Sequence, residues 1–187
     1  AWAINGKGIV LERLKRYDEA IDMYHAASQV APEDVWHWYN QGNLMVLQER
    51  HADAIPLLEQ AITVSPDHAR SWARLGNIYR QMDRPDDALK HLERAVMLEP
   101  GYAWAWNERG VTLEITGKYT DAVDAYHRAA QADAKNPLYW YNKGDTLVLL
   151  KRHEDALEAL QRALEVDPRY VRAWAKQGQA LRRMRRY

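Results

Sequence analysis

Small and apolar residues recur along the chain with a single period. Glycine stands at Gly8, Gly42, Gly76, Gly110, Gly144 and Gly178, a constant spacing of 34. Tryptophan stands four residues before five of them, at Trp38, Trp72, Trp106, Trp140 and Trp174, and Ile4 breaks that column. Alanine follows at Ala20, Ala54, Ala88, Ala122 and Ala156, and again at Ala27, Ala61, Ala95, Ala129 and Ala163. Between each alanine pair lies a large residue: Tyr24, Leu58, Leu92, Tyr126 or Leu160. Pro32, Pro66, Pro100 and Pro168 close four units, and Ala134 stands in the fifth. The pattern predicts two antiparallel helices per unit, each of about 14 residues and hence about 21 Å long.

A fixed period of this size marks a solenoid. One unit cannot bury its apolar stripe alone, so neighbours must stack. The small columns let helices approach: Gly8 and Ala20 within a unit, Ala27 toward the next. The tryptophans and the large residues fill the remaining gaps, and a buried tryptophan removes roughly 150–250 Å² from water. Lys15-Arg16-Tyr17-Asp18 and its equivalents break the first helix and open the second. Asp18, Asp53, Asp86 and Asp121 fall at the second helix start as acidic caps or dipole partners. The prolines stop the second helix.

The columns Trp, Gly, Ala, large, Ala, Pro at this spacing resemble the tetratricopeptide repeat. The resemblance covers the whole chain without an insertion. It implies an all-α, right-handed α-solenoid of antiparallel helix pairs: five full repeats plus one extra helix. The repeats are 1–34, 35–68, 69–102, 103–136 and 137–170, with a half repeat at 171–187, in one array. Ile4, Ala134, Pro85 and His51 depart from the family pattern.

A longer period runs inside the short one. Ala1-Trp2-Ala3 recurs as Ala103-Trp104-Ala105, and Tyr24-His25 as Tyr126-His127. Trp38-Tyr39-Asn40 recurs as Trp140-Tyr141-Asn142, and Arg70, Trp72 and Ala73 recur as Arg172, Trp174 and Ala175. The chain reads as a 102-residue block used twice, the second copy shorter. Either this is an old duplication without functional content, or one binding site is presented twice.

The resemblance implies that the first helices line a concave groove, with ligand-facing positions at offsets 2, 5, 6, 9, 12 and 13 of each unit. These offsets share a helix face opposite or flanking the packing columns. One set there is apolar and aromatic, including Trp2, Trp36, Tyr39, Val46, Leu47, Trp104, Ile115, Tyr141, Val148 and Leu149. Apolar groups of this extent mark an interaction surface if exposed; the alternative is packing on the neighbouring first helix. The other set is polar: Asn5, Asn40, Arg70 and Arg74, then Asn107, Asn142, Arg172 and Lys176. It resembles the carboxylate clamp of heat-shock cochaperone repeats. Asn40, Arg70 and Arg74 match that pattern, as do Asn142, Arg172 and Lys176. Two further clamp positions do not match, where Asn5 with Ile9 and Asn107 with Val111 stand. Two arginines one turn apart suit a carboxylate through charge-assisted bonds; the alternative is a solvated pair making surface ion pairs.

Composition narrows the function classes. The 26 basic and 26 acidic residues balance, which argues against a nucleic-acid binder working by bulk charge. There is no cysteine, so disulfides and thiolate metal sites are excluded. The histidines, including His25, His51, His127 and His153, show no ligand spacing. No run of about 18 apolar residues spans a membrane. No glycine-rich phosphate loop or nucleophile–base set is present, so no cofactor and no catalysis are expected. Arg182-Arg183-Met184-Arg185-Arg186 reads as a solvated helix end.

The leading expectation is a non-catalytic scaffold that binds a peptide or partner protein in its groove, the ligand carrying an acidic or C-terminal carboxylate group. The alternative, which the resemblance implies, is a regulatory or substrate-recruiting arm of a larger enzyme whose catalytic domain lies outside this fragment; the groove asparagines Asn5, Asn40, Asn107 and Asn142 resemble those of such arms. RNA binding ranks last because the groove is mixed in charge. The chain is expected to be a piece of a longer protein, capable of end-to-end self-association. Its expected compartment is the cytoplasm.

Overall fold

A computed structural model of the chain describes residues 1–184. Among these residues eleven helices follow one another with no strand: α1 (Trp2–Arg13), α2 (Tyr17–Val30), α3 (Val35–Leu47), α4 (His51–Val64), α5 (Ala69–Gln81), α6 (Pro85–Leu98), α7 (Ala103–Ile115), α8 (Tyr119–Ala132), α9 (Pro137–Leu149), α10 (His153–Val166) and α11 (Val171–Arg183). Each helix packs on the next, and odd helices also touch odd neighbours. The odd helices therefore form the inner layer of an all-α solenoid, with the even helices outside. Both alanine columns of the even helices are fully buried. The core is a string of apolar clusters along the stack rather than one centre. Arg182 and Arg183 lie exposed at the end of α11, while Arg185 and Arg186 fall outside the described residues.

Each odd helix from α1 to α9 closes with the same turn. Its left-handed residue is Lys15 (φ 60°), Glu49 (60°), Asp83 (57°), Gly117 (74°) or Lys151 (60°). The following backbone N–H reaches five residues back, as in Arg16 N to Leu11 O at 2.9 Å and Arg84 N to Tyr79 O at 2.8 Å. This is a Schellman closure, whose left-handed position favours glycine. Gly117 meets that preference. The four non-glycine residues each accept roughly 1–2 kcal/mol of strain, which packing of the helix pair overrides.

The expectation that proline stops the even helices is incomplete. Helix α8 ends at Ala132, in register with α2 and α4, although Ala134 replaces proline. All five ends instead share a strap. The indole N–H of Trp38, Trp72, Trp106, Trp140 and Trp174 donates to the carbonyl of Pro32, Pro66, Pro100, Ala134 and Pro168, at 2.8, 2.9, 2.9, 3.3 and 3.0 Å. The tryptophans pack on the core without being fully buried: Trp38, Trp72, Trp106 and Trp140 are half-buried against it and Trp174 is exposed. A phenylalanine would pack but could not donate, which gives a reason for a chain with eight Trp and no Phe. Trp106→Phe should lower stability by about 1 kcal/mol in urea denaturation, the usual net worth of one hydrogen bond. An unchanged midpoint would mean that water serves the Pro100 carbonyl equally well.

The acidic residues at the even-helix starts are not side-chain caps. The N-cap residues there are Arg16, Arg50, Arg84, Lys118 and Arg152, none with a capping side chain. The four arginines pair three residues on with Glu19, Asp53, Asp87 and Asp155, at 2.6 to 2.9 Å. These pairs are mostly exposed and contribute little. The acids still complement the dipole of the first turn.

The 102-residue relation is visible in the hydrogen bonds. Tyr24 donates its hydroxyl to Glu12 at 2.8 Å, and Tyr126 donates to Glu114 at 2.9 Å. Burial and these carboxylates push both phenols up. Asp34 caps α3 through the Trp36 N–H at 3.0 Å, and Asn136 caps α9 through the Leu138 N–H at 3.1 Å.

Candidate functional site on the concave face

Side chains of the odd helices tie the inner layer together. Between α1 and α3, Asn5 Oδ1 lies 3.3 Å from His37 Nδ1 and accepts from Asn40 at 3.5 Å. Between α5 and α7, the buried Glu108 carboxylate accepts from Asn77 at 2.7 Å and from Arg80 at 3.0 Å. Between α7 and α9, Asn107 accepts from Asn142 at 2.8 Å, and Thr146 donates to Glu114. Between α9 and α11, Lys176 pairs with Asp145 at 2.6 Å.

The first block gathers most of the predicted residues into one cluster. His68, at the N-cap of α5, stands edge-on to Trp36 and Tyr39, both at 5.0 Å between ring centres. The Arg70 guanidinium lies 5.6 Å from the Trp36 ring and that of Arg74 lies 4.5 Å from the Trp104 ring. Tyr102 leans on Trp104 at 5.8 Å. The arrangement braces two guanidinium groups against aromatic rings, each contact worth about 0.5–2 kcal/mol. Neither Arg70 nor Arg74 makes an ion pair or hydrogen bond among the described residues, and Arg74 Nε is buried without a partner. Apart from the buried Arg74 Nε, their guanidinium N–H donors have no internal acceptor, and such planar groups suit a carboxylate. Arg74 and Trp104 line a cleft of about 570 Å³ with Val46, Asn77, Gln81 and Glu108.

Local electrostatics follow from burial and these charges. Burial, with Arg70 beside it, pushes the His68 imidazole below its usual value, so it stays neutral next to the arginine. Its Nδ1 lies 2.7 Å from Ser71 Oγ, and its Nε2 is buried without a partner. Burial, assisted by Tyr39, pushes the Tyr102 phenol up to about 12.

The second block is built differently. Tyr141 packs on Tyr170 at 5.5 Å, as Tyr39 packs on His68. Its hydroxyl donates to Asp145 at 3.2 Å, and burial together with that carboxylate pushes the Tyr141 phenol up to about 12. Arg172 is exposed, but Lys176 is engaged by Asp145. The two blocks thus differ in how the second cation of the pair is engaged.

The apolar set splits by position. Leu47, Ile115 and Leu149 are 53–56% exposed, and Trp2 is 88% exposed, whereas Val46 and Val148 are buried. Trp36 is 42% exposed, Trp104 and Tyr141 are half-buried, and Tyr39 is buried beneath the cluster. Among the asparagines, Asn107 is buried and joined to Asn142, so both serve the contact between helices rather than an open groove surface. Asn40 and Asn5 make the equivalent, longer contact. Sequence reasoning missed His68, Tyr102 and Tyr170, the last residue of their units. It also missed Glu108 and Asp145, which decide which cations are neutralised. Their signal was present in a column reading Asp34, His68, Tyr102, Asn136, Tyr170 at the 34-residue spacing.

Among the described residues no group of three or more His, Cys, Asp or Glu side chains is placed to hold a metal ion. No described helix is long and apolar enough to cross a membrane.

A solenoid of helix pairs with a polar and aromatic inner face has the architecture of a protein–protein interaction scaffold. Models of the tetratricopeptide repeat match residues 1–67, 45–107, and 116–168 with 141–187, which together leave out residues 108–115. The chain belongs to the tetratricopeptide repeat family, whose members are in general non-catalytic interaction scaffolds. No curated protein matches it in sequence. Several solved structures share its fold. YrrB, described as a TPR protein with an unusual peptide-binding site, superposes with a TM-score of 0.72 at 23% identity, covering 94% of this chain and 90% of that one. TTC0263, a thermophilic TPR protein of Thermus thermophilus, gives 0.72 at 20% identity, with 96% and 98% covered. PilF of Pseudomonas aeruginosa gives 0.86 at 13% identity, with 98% and 84% covered. At these identities the likeness is one of fold.

Proposed function

We propose that the concave face of the first block binds an acidic segment of a partner protein. Arg70 and Arg74 grip its carboxylates, while Trp36 and Trp104 take its apolar side chains. The observation that carries this reading is the pair of arginines one helical turn apart, braced on tryptophans and without an internal anion. Arg70 is exposed and Arg74 half-buried, and a cation that its own protein leaves unpaired is free to gain from an incoming carboxylate. Aromatic and arginine anchors are also where binding energy concentrates. YrrB, of similar fold, has a peptide-binding site.

The test uses a fluorescein-labelled decapeptide of alternating leucine and glutamate with a free C-terminal carboxylate. Fluorescence polarisation should show binding that weakens as salt rises. Arg70→Ala/Arg74→Ala should weaken it by about tenfold and flatten the salt dependence. Equal affinity and an equal salt slope in the double variant would overturn the reading.

A further inference from the structure

The two blocks differ at a pair of facing positions in a way that bears on binding. Asn43 in α3 and Arg74 in α5 correspond, one block later, to Asp145 in α9 and Lys176 in α11. In the first block Asn43 Oδ1 and Arg74 Nε are both buried without a partner. In the second block the corresponding groups satisfy each other, Lys176 Nζ standing 2.6 Å from Asp145 Oδ1. The other Asp145 oxygen accepts from Tyr141 at 3.2 Å, which holds the carboxylate in place. Both partners of the ion pair are about 30% exposed, so the pair faces the groove rather than the core.

We infer that Asp145 is a built-in occupant of the second block's cation site, standing where a ligand carboxylate stands in the first. The chain therefore accepts acidic peptide at Arg70/Arg74 and refuses it at Arg172/Lys176. The residue at position 43 or 145 sets which block is open: a neutral amide leaves the cation to the ligand, and an aspartate takes it. An internal carboxylate competes at high effective concentration, because it is tethered beside the cation. It also repels an incoming anion, so the device both fills the site and selects against the ligand. This inference deepens the groove reading proposed above and rests on it for the first block alone.

Peptide stoichiometry and affinity test it, with the labelled leucine–glutamate decapeptide as probe. The parent chain binds one peptide. Asp145→Asn should bind two, and Asn43→Asp should weaken the original site about tenfold by placing a carboxylate near Arg74. Asn43→Ser removes the amide without adding charge and should keep the parent affinity, which separates charge from folding. Asp145→Asn placed in Arg70→Ala/Arg74→Ala should bind one peptide, and adding Arg172→Ala/Lys176→Ala should abolish it. A parent that binds through Arg70 and Arg74, with Asp145→Asn still at one peptide, would overturn this inference and leave the groove reading standing. A parent that does not bind, with Asp145→Asn binding through Lys176, would overturn the groove reading and support this inference. Binding by neither chain overturns both.

Discussion

Gly110→Ala should destabilise the chain by about 2–3 kcal/mol, near the upper end of overpacking costs. A Cβ at position 110 would stand 2.6 Å from Tyr126 Cε1 and 2.7 Å from Cδ1, closer than real Cβ contacts allow. The ring cannot swing away cheaply. It is 1% exposed, and its hydroxyl is held by Glu114 at 2.9 Å. Gly42→Ala should cost less, about 1 kcal/mol, because the nearest atom is Leu58 Cγ at 3.0 Å, a milder overlap than the 2.6 Å at Tyr126. Gly178→Ala should have the opposite sign. Nothing lies within 4 Å of a Cβ there, so alanine should stabilise α11 by about 0.5–1 kcal/mol through helix propensity. Thermal melts followed by circular dichroism rank the three. A shift of about 4–12 °C downward is expected for Gly110→Ala. Equal effects at 110 and 178 would show that the glycine column reflects something other than close approach.

Glu108→Ala is the second large effect expected, about 2–4 kcal/mol. Glu108 is 8% exposed, and its carboxylate is the acceptor for buried Asn77 and for Arg80 across the α5–α7 contact. Removing it strands an amide and a guanidinium in a partly dry interface. Asn77 also accepts from Gln81 at 3.0 Å, so the loss spreads through a network. Glu108→Gln keeps an acceptor for Asn77 and removes the charge, and should cost roughly half as much, about 1–2 kcal/mol. Urea denaturation of both variants checks the order. Glutamine proving worse than alanine would place the energy in packing rather than in the polar contact. On the proposed reading, an α5–α7 contact loosened in this way should also weaken peptide binding, since Arg74 and Trp104 come from those two helices.

The steric columns were the most legible part of the sequence. Gly110 opposite Tyr126 and Gly76 opposite Leu92 are small and large residues that must meet, and such a pair writes a helix–helix contact directly into residue size. The turns were less legible. Lys15, Glu49, Asp83 and Lys151 occupy left-handed positions that local preference reserves for glycine, so the break they make is visible only from the helices on either side. The tryptophan column was legible as packing, but its bond to the carbonyl six residues back required the geometry.

The sequence by itself determined the class of architecture, the pairing of helices and which residue types line the inner face. It could do so because these depend on size and period, which repeat with the chain. The tertiary structure decided which groove charges remain available. Arg80 and Lys176 are engaged by Glu108 and Asp145, whereas Arg70 and Arg74 rest on Trp36 and Trp104 with no anion of their own. Those pairings join residues about 30 positions apart on neighbouring inner helices. They depend on distances of a few ångströms, because charge-assisted bonds hold only at short range. A net charge of zero describes the whole chain equally well whether its arginines are paired or free. Only the packing of α3, α5 and α7 against one another shows that Arg70 and Arg74 rest on tryptophan rings rather than on a carboxylate.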